Sequence, residues 1–338
     1  MNIIIPMAGI GKRMRPHTLT VPKPLLHVAG KPIVQRLVED IVKVVHENIE
    51  EIAFIIGPSE QFFGKEIQAH LLNVADQLGA KGSINIQHEA LGTAHAIYQA
   101  KQALKGNVIV AFADTLFRAD FKLDANVDGT IWVKEVEDPR AFGVVQLNEE
   151  GTIVDFVEKP DNPESNLAII GIYYFKDGAA VLREIEYLLD NDIREKGEYQ
   201  LTNVLDSLKN QGCKFVPGKV EEWWDCGNKN ATINTNQRVL VNSKDESLIS
   251  ETVTKEGSTI IEPCFIGENV KLVNATVGPY VSIGDHTIIE NSQVENTIIY
   301  SHAHIQNARM HNSMIGNYVE YDGSAKELSL SDYSTQKD

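Results

Sequence analysis

The first 38 residues constrain this chain more than any other stretch: MNIIIPMAGIGKRMRPHTLTVPKPLLHVAGKPIVQRLV. An apolar run, Ile3 to Ile5, reads as a buried strand. It opens into a loop bearing Gly9, Gly11, Lys12, Arg13 and Arg15, followed by Pro22-Lys23-Pro24. The stretch holds six Lys or Arg and no Asp or Glu, whereas the 338-residue chain carries a net charge of −16. A concentrated positive charge inside an acidic protein calls for an anionic ligand at that spot. The glycines let backbone N–H groups approach such a ligand, and the basic side chains neutralise it.

Two familiar phosphate loops are excluded. A dinucleotide fingerprint needs a third glycine, and Met14 stands in its place. A Walker A loop needs Ser or Thr after Gly-Lys, and Gly30-Lys31 is followed by Pro32. Pro16 also blocks an uninterrupted helix after the loop. The loop is therefore expected to grip phosphate by wrapping around it.

Beyond it, strand and helix patterns alternate. Residues 32–49 read as a helix with Pro32 at its first position, and Ile52–Ile56 as a strand stopped by Gly57-Pro58. A helix over 60–78, a strand at Ile84–Ile86, a helix over 92–104 and a strand at Val108–Phe112 ending on Asp114 follow. Such alternation predicts an α/β fold with a mostly parallel, Rossmann-like sheet and helices on both faces. Ligands of these sheets sit at the carboxyl ends of the strands. Gly9, Gln87 and Asp114 each lie just past such an end. Residues 130–175 are strand-rich, with runs at Thr130–Val136, Gly143–Leu147, Ile153–Phe156 and Ala168–Phe175. Helices are expected at 178–189, 200–210 and 228–241.

From about residue 257 an apolar residue recurs every five or six positions: Ile266, Leu272, Val277, Ile283, Ile289, Val294, Ile305, Met310 and Ile315. Several are followed by glycine. This suits a parallel β-helix with short triangular coils. The expected domains are 1–241, a linker 242–256, the β-helix 257–323 and a polar, frayed tail 324–338.

No apolar run approaches the length of a membrane span, and no basic leader precedes the first strand. Cys213, Cys226 and Cys264 are odd in number and far apart, which suggests reduced thiols in a cytoplasmic protein. The acidic balance argues against nucleic-acid partners.

The segment PMAGIGKRMRPHTLTVPKPLLHVAGKPI resembles the signature of the sugar-1-phosphate nucleotidylyltransferases, the NDP-sugar pyrophosphorylases, and scattered matches continue to about residue 240. The repeats resemble the left-handed β-helix appended to many of these enzymes. The resemblance implies Mg²⁺-dependent transfer of a nucleotidyl group from an NTP to a sugar 1-phosphate, with no nucleic-acid or membrane partner and a homo-oligomeric assembly.

It also implies roles. Arg13 forks onto the pyrophosphate oxygens, and Lys23 bridges the reacting phosphates. Ala8, Gly9, Gly11 and Lys12, with Gln87, Gly92 and Thr93 of QHEALGTAH, bind the nucleotide. Gly143, Glu158, Lys159 and Gly171 take the sugar phosphate, and Asp114 and Asp225 hold the metal. A primary amide at Gln87 can donate to O4 and accept from N3–H of a uracil-type ring, which favours dTTP or UTP over GTP. Independently of the family, a carboxylate closing the apolar run before Asp114 is poor core and a good hard-cation ligand.

Departures from the family pattern leave the sugar open. Ile170 stands where many thymidylyltransferases carry Thr, and GEYQLTN replaces GELEITD. Glucose 1-phosphate is the expected acceptor. N-acetylglucosamine or mannose 1-phosphate, or a non-catalytic nucleotide sensor, are the alternatives. His286, His302, His304 and His311 raise an acyltransferase reading, against which the shortness of the repeat argues.

Overall fold

The computed structural model describes residues 1–9, 11–119, 123–124, 126–243 and 248–324. The expected tail from 325 onward and part of the linker, 244–247, lie outside the described residues. The chain forms two compact units, Met1–Gly9 with Val34–Trp223, and Ile10–Ile33 with the chain from Trp224 on.

The first unit is built on a nine-stranded sheet. Four parallel strands lie in the order Lys81–Ile86, Glu51–Ile56, Asn2–Pro6, Val108–Ala111. Ile3, Ile4 and Ile5 have no exposed surface, as expected for a strand covered on both faces. Leu167–Phe175 then joins Val108–Ala111 antiparallel and pairs with Gly129–Glu135 and Gly143–Leu147. The outer strand Ile153–Glu158 runs antiparallel to Gly143–Leu147.

Chain order fixes where a ligand can enter. The strands at 2–6, 51–56 and 81–86 step outward in one direction. The chain then crosses to place Val108–Ala111 on the other side of Asn2–Pro6. The connections diverge between these two strands, which opens a crevice at their carboxyl ends.

The second unit contains the loop from 11 to 33, the helix Lys229–Asn242 and a stack of short parallel strands. Those strands form three sheets of five, four and four. Successive coils repeat every 17 and later every 16 residues. The register stacks Leu272, Ile289 and Ile305 in one sheet, Val277, Val294 and Met310 in the second, and Ile266, Ile283, Ile299 and Ile315 in the third. One inward side chain per strand is the parallel β-helix pattern the repeat predicted, in keeping with the left-handed form that the resemblance implied. The corners are left-handed residues, many of them Asn: Asn274, Asn291 and Asn307 have φ of 48°, 48° and 54°. Asn tolerates that region better than most side chains.

Several expected elements differ in detail. Pro32 does not begin a helix. It pairs with His27 in a two-residue hairpin, and the helix starts at Ile33 and ends at Val44. The turn residues Ala29 and Gly30 both have positive φ, 47° and 84°, the condition for the tightest hairpin turn. The 60–78 helix is two, Glu60–Phe63 and Lys65–Gln77, broken at Gly64, whose ψ of 174° is extended. The helix expected over 92–104 ends at Gln99, followed by a 3₁₀ turn. Strands at Thr115–Arg118, Phe215–Lys219 and Glu222–Asp225 have no counterpart in the sequence reading.

Candidate active site

The residues singled out from the sequence fall on both units. In the first, the parallel strands end together on one rim. The Ala113 N–H donates to the Pro6 carbonyl at 3.4 Å, and the Met7 N–H donates to the Ile55 carbonyl at 2.8 Å. Ala8 and Gly9 thus leave one strand end beside Asp114, which leaves the other, at the crevice between diverging connections. Gln87 stands at the same rim, its N–H donating to the Ile56 carbonyl at 2.9 Å.

The Gln87 amide is 8% exposed and already engaged. Its Nε2 lies 3.3 Å from the Gly92 carbonyl and 3.2 Å from His95 Nδ1. Burial lowers the His95 pKa below 6.5 against the opposing pull of Glu89, so the ring is largely neutral near pH 7 and can accept from the amide. Gly92 is required by its own surroundings. Its φ is +118°, and a Cβ would lie 2.4 Å from the Tyr199 carbonyl oxygen and 2.6 Å from the Tyr199 nitrogen. The Thr93 hydroxyl is shared between two groups. It donates to Gln200 Oε1 at 3.1 Å and accepts the Leu201 N–H at 2.8 Å, capping the Leu201–Asn210 helix.

A second group lies along the antiparallel strands. Gly143 faces Glu158 across the pair, and a Cβ on Gly143 would lie 3.2 Å from Glu158 Oε2. Glu158 is 14% exposed and has Lys159 Nζ at 3.3 Å. The turn behind it is held by Lys196, whose ammonium donates to the Glu158 and Lys159 carbonyls at 3.2 and 2.8 Å. Gly171 sits with φ +85° in a bulge where the register shifts between Ile169 and Tyr173. Its carbonyl accepts the Phe112 N–H at 2.9 Å, tying this group to the strand that leads to Asp114. The buried Tyr173 hydroxyl has its pKa raised by burial and further by the charges of Glu158 and Asp114. Both carboxylates therefore act on one buried ring. Tyr173 and His95 were not singled out from the sequence. The only signal was His95's position eight residues after Gln87.

In the second unit, Lys12 and Arg13 are exposed on a 3₁₀ turn, Lys12–Met14, anchored by fully buried Met14. Thr18 Oγ1 donates to the Gly11 carbonyl at 2.9 Å, as does the Met14 N–H. Lys23 begins the third 3₁₀ turn of this loop, Lys23–Leu25, its Cβ against Gly11. Asp225 closes the strand Glu222–Asp225. Its Oδ1 accepts the Gly227 N–H at 2.9 Å, and Thr235 Oγ1 donates to its backbone carbonyl at 2.8 Å. Trp223 Nε1 donates to Thr115 Oγ1 at 2.6 Å, within the first unit.

Asp114 and Asp225 are both half-buried. Among the described residues, no three His, Cys, Asp or Glu gather as a metal cluster. Each carboxylate is a hard oxygen donor of the kind Mg²⁺ takes, one or two to an ion, with its other positions left to water and phosphate. The four histidines of the β-helix are spread over its packing. His286 and His302 stack at 5.0 Å, His302 and Tyr318 at 4.8 Å, and His304 pairs with Glu290 at 3.0 Å.

An open sheet with glycine and carboxylate turns at its switch point is the build of a nucleotide-binding α/β enzyme. The profile of the nucleotidyl transferase family matches residues 2–242, and the chain belongs to that family, whose members are enzymes. It is 29% identical to the low-salt glycan biosynthesis nucleotidyltransferase Agl11 of Haloferax volcanii, over 94% of this chain and 92% of that one. It is also 29% identical to a glucose-1-phosphate thymidylyltransferase of Streptomyces antibioticus, over 95% and 93%. It is 30% identical to the bifunctional protein GlmU of Methanocaldococcus jannaschii, over 94% of this chain and 77% of that one. The fold matches a solved UDP-glucose pyrophosphorylase, complexed with UDP-glucose, at a TM-score of 0.58 and 22% identity, covering 71% of this chain and 98% of that chain.

Proposed function

We propose that the chain transfers a nucleotidyl group from dTTP or UTP to a hexose 1-phosphate, glucose 1-phosphate first among the acceptors. A phosphate oxygen of the sugar phosphate forms a bond to the α-phosphorus as the bond from that phosphorus to the bridging oxygen breaks. Pyrophosphate leaves with the electron pair. The nucleophile is already an anion, so the protein needs no general base. Its task is to hold two anions together and stabilise the leaving group.

The observation that carries this reading is the Ala113 N–H on the Pro6 carbonyl. It joins the turn through Ala8 and Gly9 to the turn through Asp114 at the sheet's switch point. The acid-free segment that follows Gly9 supplies Gly11, Lys12, Arg13 and Lys23. Arg13 takes the leaving pyrophosphate with its planar fork, and Lys23 bridges the reacting phosphates. Gln87, with Gly92 and Thr93 behind it, faces the base. Glu158 accepts from sugar hydroxyls beside Gly143 and Gly171, and Lys159 holds the sugar phosphate. Asp114 and Asp225 would hold Mg²⁺, which when bound neutralises phosphate charge. Relatives named glucose-1-phosphate thymidylyltransferase, alignable over nearly the whole chain, support the choice of acceptor.

Pyrophosphate release should be measured with each NTP against glucose, N-acetylglucosamine, galactose and mannose 1-phosphates in Mg²⁺. Release is expected with dTTP or UTP and glucose 1-phosphate. Release confined to GTP would overturn the base assignment, and none with any pair would leave a nucleotide sensor.

A further inference from the structure

The β-helix is part of the same compact unit as the loop that carries Arg13 and Lys23, and specific side chains join them. Asn236, on the helix Lys229–Asn242, is fully buried. Its Oδ1 accepts the Ala29 N–H at 2.9 Å and the Ser282 hydroxyl at 2.7 Å, and its Nδ2 reaches the Tyr280 carbonyl at 3.5 Å. One amide thus joins the hairpin His27–Pro32 to the second coil of the β-helix. A buried acceptor serving two donors leaves both unsatisfied when it is removed.

Two aromatic side chains complete the contact. Phe265 fills the space beside Gly30, where an added Cβ would lie 2.2 Å from its ring. Tyr300 reaches the His27 carbonyl with its hydroxyl at 3.5 Å, and its ring meets His17 and His27 edge-on, each at 6.4 Å between centroids. The helix that presents Asn236 also reaches the other proposed residues. Thr235 Oγ1 donates to the Asp225 carbonyl, and Thr232 Oγ1 lies 3.7 Å from Sδ of Met14, the neighbour of Arg13.

We propose that the β-helix positions the phosphate-binding loop, with Asn236 and Tyr300 as its positioning residues. They hold the hairpin four residues past Lys23, and through it the backbone from which Lys23 extends. The C-terminal module is then a working part of the nucleotidyl-transfer site. This inference rests on the assignment of Lys23 and Arg13 to the phosphates.

The test uses the full chain, with Asn236→Ala, Ser282→Ala as the milder variant that keeps the buried amide, and Tyr300→Phe as the variant that keeps the ring. Hydrogen–deuterium exchange without substrate should show faster exchange of amides 26–33 in Asn236→Ala, a smaller effect in Ser282→Ala, and unchanged protection in the strands of the first unit. Pyrophosphate release should show kcat for Asn236→Ala reduced tenfold or more, with KM for the sugar phosphate within twofold of the parent. Tyr300→Phe, which loses the hydroxyl on the His27 carbonyl and keeps the ring, should show a smaller kcat loss than Asn236→Ala, since edge contacts and burial carry most of that side chain's contribution. Unchanged exchange at 26–33 overturns the proposal. So does faster exchange there with unaltered kcat, because the contact would then be architectural only. The exchange experiment needs no turnover, so a wild-type chain inactive with every substrate pair would refute the proposed reaction while exchange still decided whether the β-helix holds the hairpin.

Discussion

Lys23 leaves its backbone against Gly11: a Cβ built on Gly11 would lie 2.8 Å from the Lys23 Cβ, at a φ of +68°. Two residues twelve apart in sequence thereby fix one another. Gly11→Ala should push Lys23 aside while the sheet stays folded. Displacement on the order of 1 Å costs about 10²-fold in rate. Pyrophosphate release in Gly11→Ala should fall by that order, with an unfolding midpoint lowered by no more than the strain of an alanine at that φ, about 1–2 kcal/mol. Activity above half of the parent's would show that the contact does not position Lys23.

Arg13 and Lys23 carry different parts of the proposed reaction, and their variants should differ. Lys23→Ala should lower kcat by about 10²–10³, the scale of losing one group aimed at developing charge. Arg13→Lys keeps the charge and loses the fork, so a smaller but clear kcat loss is expected, without recovery at high NTP. Circular dichroism should be unchanged in both. Near-parent kcat in Lys23→Ala would remove it from the mechanism.

Gly92 and Thr93 are expected to reveal an architectural demand. Gly92→Ala forces a Cβ into the Tyr199 backbone at a strained φ, at about 1–3 kcal/mol or more for the strained backbone. Thr93→Val removes the acceptor for the Leu201 N–H, at about 1 kcal/mol for a lost helix cap. Urea midpoints should fall in both, further in Gly92→Ala. An unshifted midpoint in Gly92→Ala would show that the Tyr199 backbone is free to move.

His17 sets a pH dependence. Burial first, and Lys229 second, lower its pKa below the ordinary 6.5. Between the two values the unfolded chain binds more protons than the folded one, so this contribution is complete above pH 6.5 and declines as pH falls through the folded value. The unfolding temperature should drop on acidification below pH 6.5, and His17→Asn should flatten that decline. An equally steep decline in both would assign it elsewhere.

Much of this was legible in the sequence because it depends on local pattern. Ile3–Ile5 read as buried because every residue was apolar, and the repeat from Ile266 read as coils because each turn inserts one side chain. What escaped depends on distant residues. Ile299 was passed over because it follows another isoleucine, which hid the repeat. Pro32 read as a helix start, but the left-handed turn at Ala29-Gly30 spends it on a hairpin. The Tyr199 backbone, over one hundred residues away, leaves no space for a Cβ at Gly92, a demand that no local pattern carries. The strand at Glu222–Asp225 has no local signal, since its pairing with Thr115–Arg118 is visible only in the fold. Nothing in the spacing of Asn236, Ser282 and Ala29 could have announced a shared amide.

In the proposed site the acid-free segment wraps a triphosphate, and Asp114 and Asp225 bind one cation beside it. The most direct measurement is a crystal structure of the chain with dTTP or UTP and Mn²⁺, with the ion located by anomalous scattering. The account predicts a single ion carrying oxygens of both carboxylates at about 2.0–2.3 Å, the range for hard divalent cations, with Arg13 and Lys23 on the phosphates. An ion bound by neither aspartate, or phosphates bound away from Arg13 and Lys23, would contradict it.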